Sequence, residues 1–201
     1  MSPVDSYPVV DHYYTIQGEG AWAGRAAYFI PLAGCDVGCP WCDTKESWSV
    51  EGHPVVAIDE LVASAVGSAC GMVVVTGGEP AMHALDPLVD RLHEAHLTVH
   101  LETSGAYPIT GSFDWVTLSP KKYKPPVVEN YDKVDELKVI VAHRSDFRWG
   151  ERHLERCAQS VRASFQPEWD SPQILPLIIE YVKGHPRWAI SLQTHKYLRI
   201  P

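Results

Sequence analysis

Short apolar strands alternate with amphipathic helices along most of this chain, and that alternation leaves few folds open. Met72-Val73-Val74-Val75-Thr76 is a continuous β-branched run of strand length, broken by Gly77-Gly78-Glu79-Pro80. Ala26–Ile30 reads as a buried strand. Further strands read at Leu97–Leu101, Trp115–Leu118, Leu137–Val141, Val161–Phe165 and Trp188–Leu192. Between them, Ile58, Leu61, Val62, Ala65 and Val66 recur at helical spacing. This predicts a helix over Ile58–Ala69, with Asp59 and Glu60 near its positive end. Leu85, Leu88, Val89 and Leu92 share one face of a second helix over Met82–Ala95. Helices also read at Ser145–Cys157 and Gln173–Lys183. Such alternation builds βαβ units around a parallel sheet with right-handed crossovers.

Length then trims the choice. At 201 residues the chain is expected to form a single domain over 1–201. It is short for a complete eightfold (β/α) barrel, which takes about 250 residues. Apolar residues make up 45% and charged residues 21%, which excludes a disordered chain. The net charge of −8 argues against a protein that wraps nucleic acid. No apolar run approaches the length needed to span a membrane. Met1–Thr15 lacks the basic start and apolar run of a signal peptide. Three of the five cysteines fall within eight residues, unlike a secreted disulfide framework, so a reducing cytoplasm is expected.

Those three cysteines carry the chemistry. Cys35-Asp36-Val37-Gly38-Cys39-Pro40-Trp41-Cys42-Asp43 has the spacing C-x3-C-x2-C. Soft thiolates this close select an iron–sulfur cluster, zinc or Cu(I). Zinc would need a fourth ligand, for which His53 or Asp36 can be nominated. A cubane cluster held by three cysteines would leave one iron open, as if to bind something else. Cys70 and Cys157 read as small buried apolar residues.

The C-x3-C-x2-C run with an aromatic, Trp41, before its last cysteine resembles the signature of radical S-adenosylmethionine (SAM) enzymes. Gly77-Gly78-Glu79 after a strand resembles their second signature, which binds the methionine amine of SAM. The resemblance implies a [4Fe–4S] cluster on Cys35, Cys39 and Cys42, whose open iron takes SAM and cleaves it to a 5′-deoxyadenosyl radical. Glycines that admit close backbone approach and a carboxylate that suits an ammonium agree with it.

Further motifs, from Tyr14 to Pro201, resemble one branch, the 7-carboxy-7-deazaguanine synthases of queuosine biosynthesis. The resemblance implies an α/β fold, a partial TIM-like barrel open on one side with few helices, and a homodimer. Ile16-Gln17-Gly18-Glu19 would contact a pterin substrate, together with Thr76 and the terminal His195, Lys196 and Pro201. Trp41, Cys42, Asp43, Gly78, Glu79, Ser119-Pro120-Lys121 and Phe165-Gln166-Pro167-Glu168 would hold SAM. Thr44 would ligate Mg²⁺, though it also reads as a helix N-cap. An electron donor such as flavodoxin is implied. The family carries a carboxylate-binding arginine where this chain has Pro31; Arg25, Lys45 or the Mg²⁺ ion is expected to supply that charge.

Two alternatives stay open at this level. Another small radical SAM enzyme, such as a glycyl-radical activase, would share the cysteine loop. A non-catalytic zinc or iron–sulfur binding module would share only the thiols. His93, His96 and His100 read as surface histidines, and Lys121, Lys122 and Lys124 as a solvated loop in which only Lys121 has a motif. Glu102-Thr103-Ser104-Gly105 reads as either a turn or a ligand contact.

Overall fold

The computed structural model describes residues 4–201; Met1–Pro3, the start of the stretch inspected for a leader, lie outside it. An eight-stranded sheet runs in the order β10-β9-β8-β7-β6-β5-β3-β2. Its strands are β2 (Tyr13–Ile16), β3 (Ala26–Leu32), β5 (Met72–Gly77), β6 (Thr98–Thr103), β7 (Trp115–Leu118), β8 (Glu136–Val141), β9 (Arg162–Pro167) and β10 (Trp188–Ile190). All pairings are parallel except that of β2 with β3. The two edges, β2 and β10, do not pair, so the barrel is open as expected. A small antiparallel pair, β1 (Ser6–Pro8) and β4 (Val55–Ala57), sits outside it.

Helices α1 (Ile58–Gly67), α2 (Asp86–Glu94), α3 (Ser145–Leu154) and α4 (Leu175–Gly184) follow the predicted pattern. The second begins later than its periodicity suggested. Pro80–Met82 forms a separate 3-10 turn, and Pro87 sets the true first turn of α2. The short β1, β2 and β4, and a last helix α5 (Thr194–Leu198), were not legible in the pattern. Among the described residues no helix is long and apolar enough to cross a membrane.

Strand alternation decides what faces where. On β8, Leu137, Val139 and Val141 join the core formed with α3 and α4. Glu136, Lys138 and Ile140 therefore face the concave interior. On β9 the same rule sends Phe165 outward and Gln166 inward. On β6, Val99 and Leu101 pack outward beneath α1 and α2, while His100 and Glu102 point in. The convex face thus carries two apolar cores, while the concave face combines the polar groups of β6, β8 and β9 with an apolar cluster of Ala27, Met72 and Val74. His100 does not stand at the surface: it is buried inside, edge-on to Trp22 at 4.9 Å and close to Trp115. Strand β6 puts it there, so it cannot join the half-buried His93, which bonds Asp114 instead.

Candidate active site

A cavity of about 460 Å³ opens inside the sheet, in the size range of a small-molecule site. Cys35, Cys39 and Cys42 line it from the loop after β3. None forms a disulfide. The loop is fixed at both ends: Gly34 N–H donates to the Ser47 carbonyl at 2.7 Å and Cys35 N–H to the Trp48 carbonyl at 3.0 Å. Val37 and Cys39 pack on Ala106, with Trp41 and Tyr107 at the margin. Burial pushes the Cys35 and Cys39 thiols up, while the Lys121 ammonium opposes the rise at Cys39.

Gly78 packs so tightly against this loop that an added Cβ would press on the Gly34 carbonyl and lie 2.9 Å from Cys35 Cβ. The turn after β5 thus abuts the start of the cysteine loop, joined by Glu79 N–H to the Gly34 carbonyl at 2.8 Å. The Glu79 side chain goes elsewhere. It is 1% exposed, and its carboxylate accepts from Ala81 N–H, from Thr103 and from both the amide and hydroxyl of Ser104. It braces two turns and does not line the cavity.

Most of the other expected residues meet at the cavity. Ile16, Gln17, Gly18 and Glu19 line it, as do Thr76, Trp41, Asp43, Thr44, Ser119, Lys121, Gln166, Pro167, Glu168, His195, Lys196 and Pro201. Pro120 and Phe165 do not. Phe165 faces outward on β9, fully buried and stacked on Trp188 at 3.7 Å. Pro120 is buried in the loop after β7. Thr44 stands at the N-cap position of a 3-10 turn, but its side chain makes no cap bond; its carbonyl accepts from Ser47 instead. Lys121 is folded back, donating to the Ser119 carbonyl and hydroxyl at 2.6 Å each, and burial pulls its ammonium down.

The C-terminus closes the gap between the sheet edges. Thr194 donates to the Gly18 carbonyl through both its amide and hydroxyl, at 2.9 and 2.8 Å. A side chain on Gly18 would strike the His195 ring, 2.8 Å from its Cγ. Thr15 donates to the Pro201 carbonyl at 3.2 Å. Lys196 pairs with Asp43 at 2.6 Å. Gln193, which opens the C-terminal Gln-x-His-Lys run, donates to Glu19 at 2.9 Å.

Trp169, the last residue of the run after β9, lines the cavity too, and so do four residues that no motif pointed to: Tyr13, Phe29, Trp48 and Lys138. Lys138 left one signal: it is a lysine inside the otherwise apolar run Leu137–Val141. Its side chain is 4% exposed and pairs with both Glu19 and Glu102. Burial alone would raise the Glu19 carboxyl, but Lys138 overrides it and holds the group down at about 2. Glu102, Thr103 and Ser104 line the cavity as well.

No family model matches the chain. Curated relatives do. A 7-carboxy-7-deazaguanine synthase from Synechocystis sp. is 49% identical over 97% of this chain and 94% of its own length. One from Flavobacterium psychrophilum is 48% identical over 96% of this chain and 92% of its own. The crystal structure of QueE from Escherichia coli superposes with a TM-score of 0.83 at 28% identity, covering 93% of each chain. The chain belongs to the 7-carboxy-7-deazaguanine synthase family.

The synthase family fits the donor set found in the cavity. Both residues nominated as a fourth zinc ligand are engaged elsewhere. His53 bonds the Glu46 carbonyl at 2.8 Å, and Asp36 accepts from Tyr107 at 2.6 Å and Lys124 at 2.7 Å. Among the described residues no three His, Cys, Asp or Glu groups gather closely enough to hold one metal ion. Cys35, Cys39 and Cys42 are free thiols lining one cavity, with the Gly77-Gly78 turn against their loop. Pro31, where the synthases carry arginine, lines the cavity too. Of the two cations expected to replace that charge, Lys45 lines the cavity and Arg25 does not.

Proposed function

We propose that this chain, acting as a single domain, converts 6-carboxy-5,6,7,8-tetrahydropterin to 7-carboxy-7-deazaguanine with loss of ammonia. The overall change is redox-neutral. When bound, the cluster and SAM supply the carbon radical that starts the ring contraction. The observation that carries the proposal is convergence: the cysteine loop, the Gly77-Gly78 turn, the Gln17–Glu19 segment and the C-terminus all open onto one cavity.

Cys35, Cys39 and Cys42 would hold the cluster. Gly78 lets SAM approach backbone, with Trp41, Asp43, Ser119, Lys121, Gln166 and Glu168 around it. Thr44, whose hydroxyl is not spent on a cap, would ligate Mg²⁺ through hard oxygen. Ile16, Gln17, Gly18, Glu19, Thr76, His195, Lys196 and Pro201 would enclose the pterin. Lys45 would meet its carboxylate in place of the Pro31 position. His195, Lys196 and Pro201 of the C-terminal segment line the cavity, which suits a small substrate better than the protein partner of an activase. A cytoplasmic homodimer fed by an electron donor such as flavodoxin completes the proposal.

The test is anaerobic reconstitution with iron and sulfide, followed by SAM, Mg²⁺, a reductant and the carboxytetrahydropterin. Mass analysis should find the deazapurine with little SAM consumed. SAM cleavage without deazapurine would defeat the substrate assignment.

A further inference from the structure

We propose that Lys138 is a positioning residue for the substrate heterocycle, acting through Glu19 and Glu102. The proposal rests on the pterin reading above and adds to it a residue that no motif contains. Lys138 projects from β8 into the concave interior, beneath the cavity that it lines. It binds Glu19 on one side and Glu102, at 3.1 Å, on the other. Each carboxylate is gripped twice. The second oxygen of Glu19 accepts from Gln193 at 2.9 Å, and the second oxygen of Glu102 accepts from Gln17 at 2.7 Å.

The third carboxylate nearby, Glu136, is occupied differently. It accepts from Ala21 N–H at 3.0 and 3.1 Å and from Trp115 at 3.3 Å, below the cavity. One ammonium therefore serves two carboxylates that line the cavity, and leaves the floor with net negative charge. A carboxylate with two oxygens has about four lone-pair sites, so each retains capacity to accept. Such a floor suits a ligand edge with adjacent N–H donors, which the aminopyrimidinone edge of a pterin supplies. It repels an anionic group and so turns the substrate carboxylate toward the rim. Without Lys138, two half-buried carboxylates would keep only the Gln193 and Gln17 amides and no countercharge, and one would take up a proton or swing away.

The test compares Lys138→Met, Lys138→Arg and Glu102→Gln in the reconstituted holoprotein. Binding of 6-carboxypterin is followed by its fluorescence, and SAM binding by equilibrium dialysis. Lys138→Met should weaken 6-carboxypterin by about tenfold, the scale of one charge-assisted hydrogen bond, with SAM affinity and iron content within about twofold of wild type. Lys138→Arg should recover most of the loss, as a merely structural defect at this tight site would not. Unchanged 6-carboxypterin affinity in Lys138→Met would overturn the proposal. Should that variant fail to fold, unchanged affinity in the near-isosteric Glu102→Gln would overturn it equally. No binding by the wild-type protein would defeat the pterin reading, and this proposal with it.

Discussion

Adding one methyl group at Gly78 tests whether the turn after β5 and the cysteine loop act as one unit. In Gly78→Ala the new Cβ would sit against the Gly34 carbonyl and 2.9 Å from Cys35 Cβ, where comfortable carbon–carbon contact begins at about 3.5 Å. The neighbours are backbone and the root of a cluster ligand, so they yield only by moving the loop. Overpacking of this kind costs about 1–3 kcal/mol. The shift also stretches the Glu79 N–H to Gly34 carbonyl bond, now 2.8 Å, worth about 1 kcal/mol. Together that is about 2–4 kcal/mol, or a fall in Tm of about 4–16 °C for a chain of this length. The assay is thermal unfolding of the unloaded protein, paired with the iron-to-protein ratio after anaerobic reconstitution. Iron uptake should fall with Tm, because Cys35 moves. Gly67→Ala is the control. Its Cβ meets nothing within 4 Å in α1, and removing a helix glycine should stabilise by about 0.5–1 kcal/mol. Gly78→Ala with wild-type Tm and full iron would refute the idea that this glycine is required by contact with the loop.

Three further outcomes are expected. Glu19 is held at about 2 by Lys138 against the opposing effect of burial, below its ordinary 4.5. A depressed carboxyl stabilises above its unfolded value and loses that contribution as pH falls from about 4.5 toward 2, so about 3 kcal/mol should disappear over that window and be absent from Glu19→Gln in urea unfolding at matched pH. Cys39→Ala should abolish most iron uptake while Cys70→Ala, a buried bystander among Ala27, Met72 and Val74, should retain it, as iron analysis will show. Removing residues 198–201 deletes the exposed Thr15 to Pro201 bond and the terminal backbone bonds of Arg199 and Ile200, so stability should drop by about 1–3 kcal/mol. Pterin binding should nevertheless be lost with the cluster intact, and full activity in the truncated enzyme would contradict a docked C-terminus.

Burial and periodicity explain which elements were legible. The run Met72–Thr76 announces itself because a central strand is continuous in apolar residues. The edge strand β2 does not: Tyr13, Tyr14, Thr15 and Ile16 alternate between half-buried and exposed, and a half-exposed tetrapeptide carries too little pattern to stand out. Strands β1 and β4 are three residues each. In the site, motifs contiguous in sequence located the cysteine loop and the glycine turn, because close backbone approach needs glycine at fixed offsets. Motif reading misdirected the side chain of Glu79, since adjacency to Gly78 says nothing of which way a carboxylate turns after a break in φ and ψ. Its four donors come from Ala81, Thr103 and Ser104, and those from Thr103 and Ser104 lie across the turn after β6.

The polar interior was hidden for a different reason. Lys138 meets Glu19 across 119 positions and Gln193 meets Glu19 across 174, so no local spacing rule can pair them. What the chain does encode locally is the phase of each strand. Once Leu137, Val139 and Val141 are assigned to the helix-covered face, Glu136 and Lys138 have only the interior left, and a charged group there must find partners or a ligand. The same logic applied to β6 and β9 delivers Glu102 and Gln166 to that interior. An open barrel makes this possible, because β2 and β10 leave unpaired edges where Gly18 and Thr194 can dock. The segments flanking that seam, Gln17–Glu19 and Gln193–Lys196, then complete a pocket to which strand phase contributes Glu102, Lys138 and Gln166.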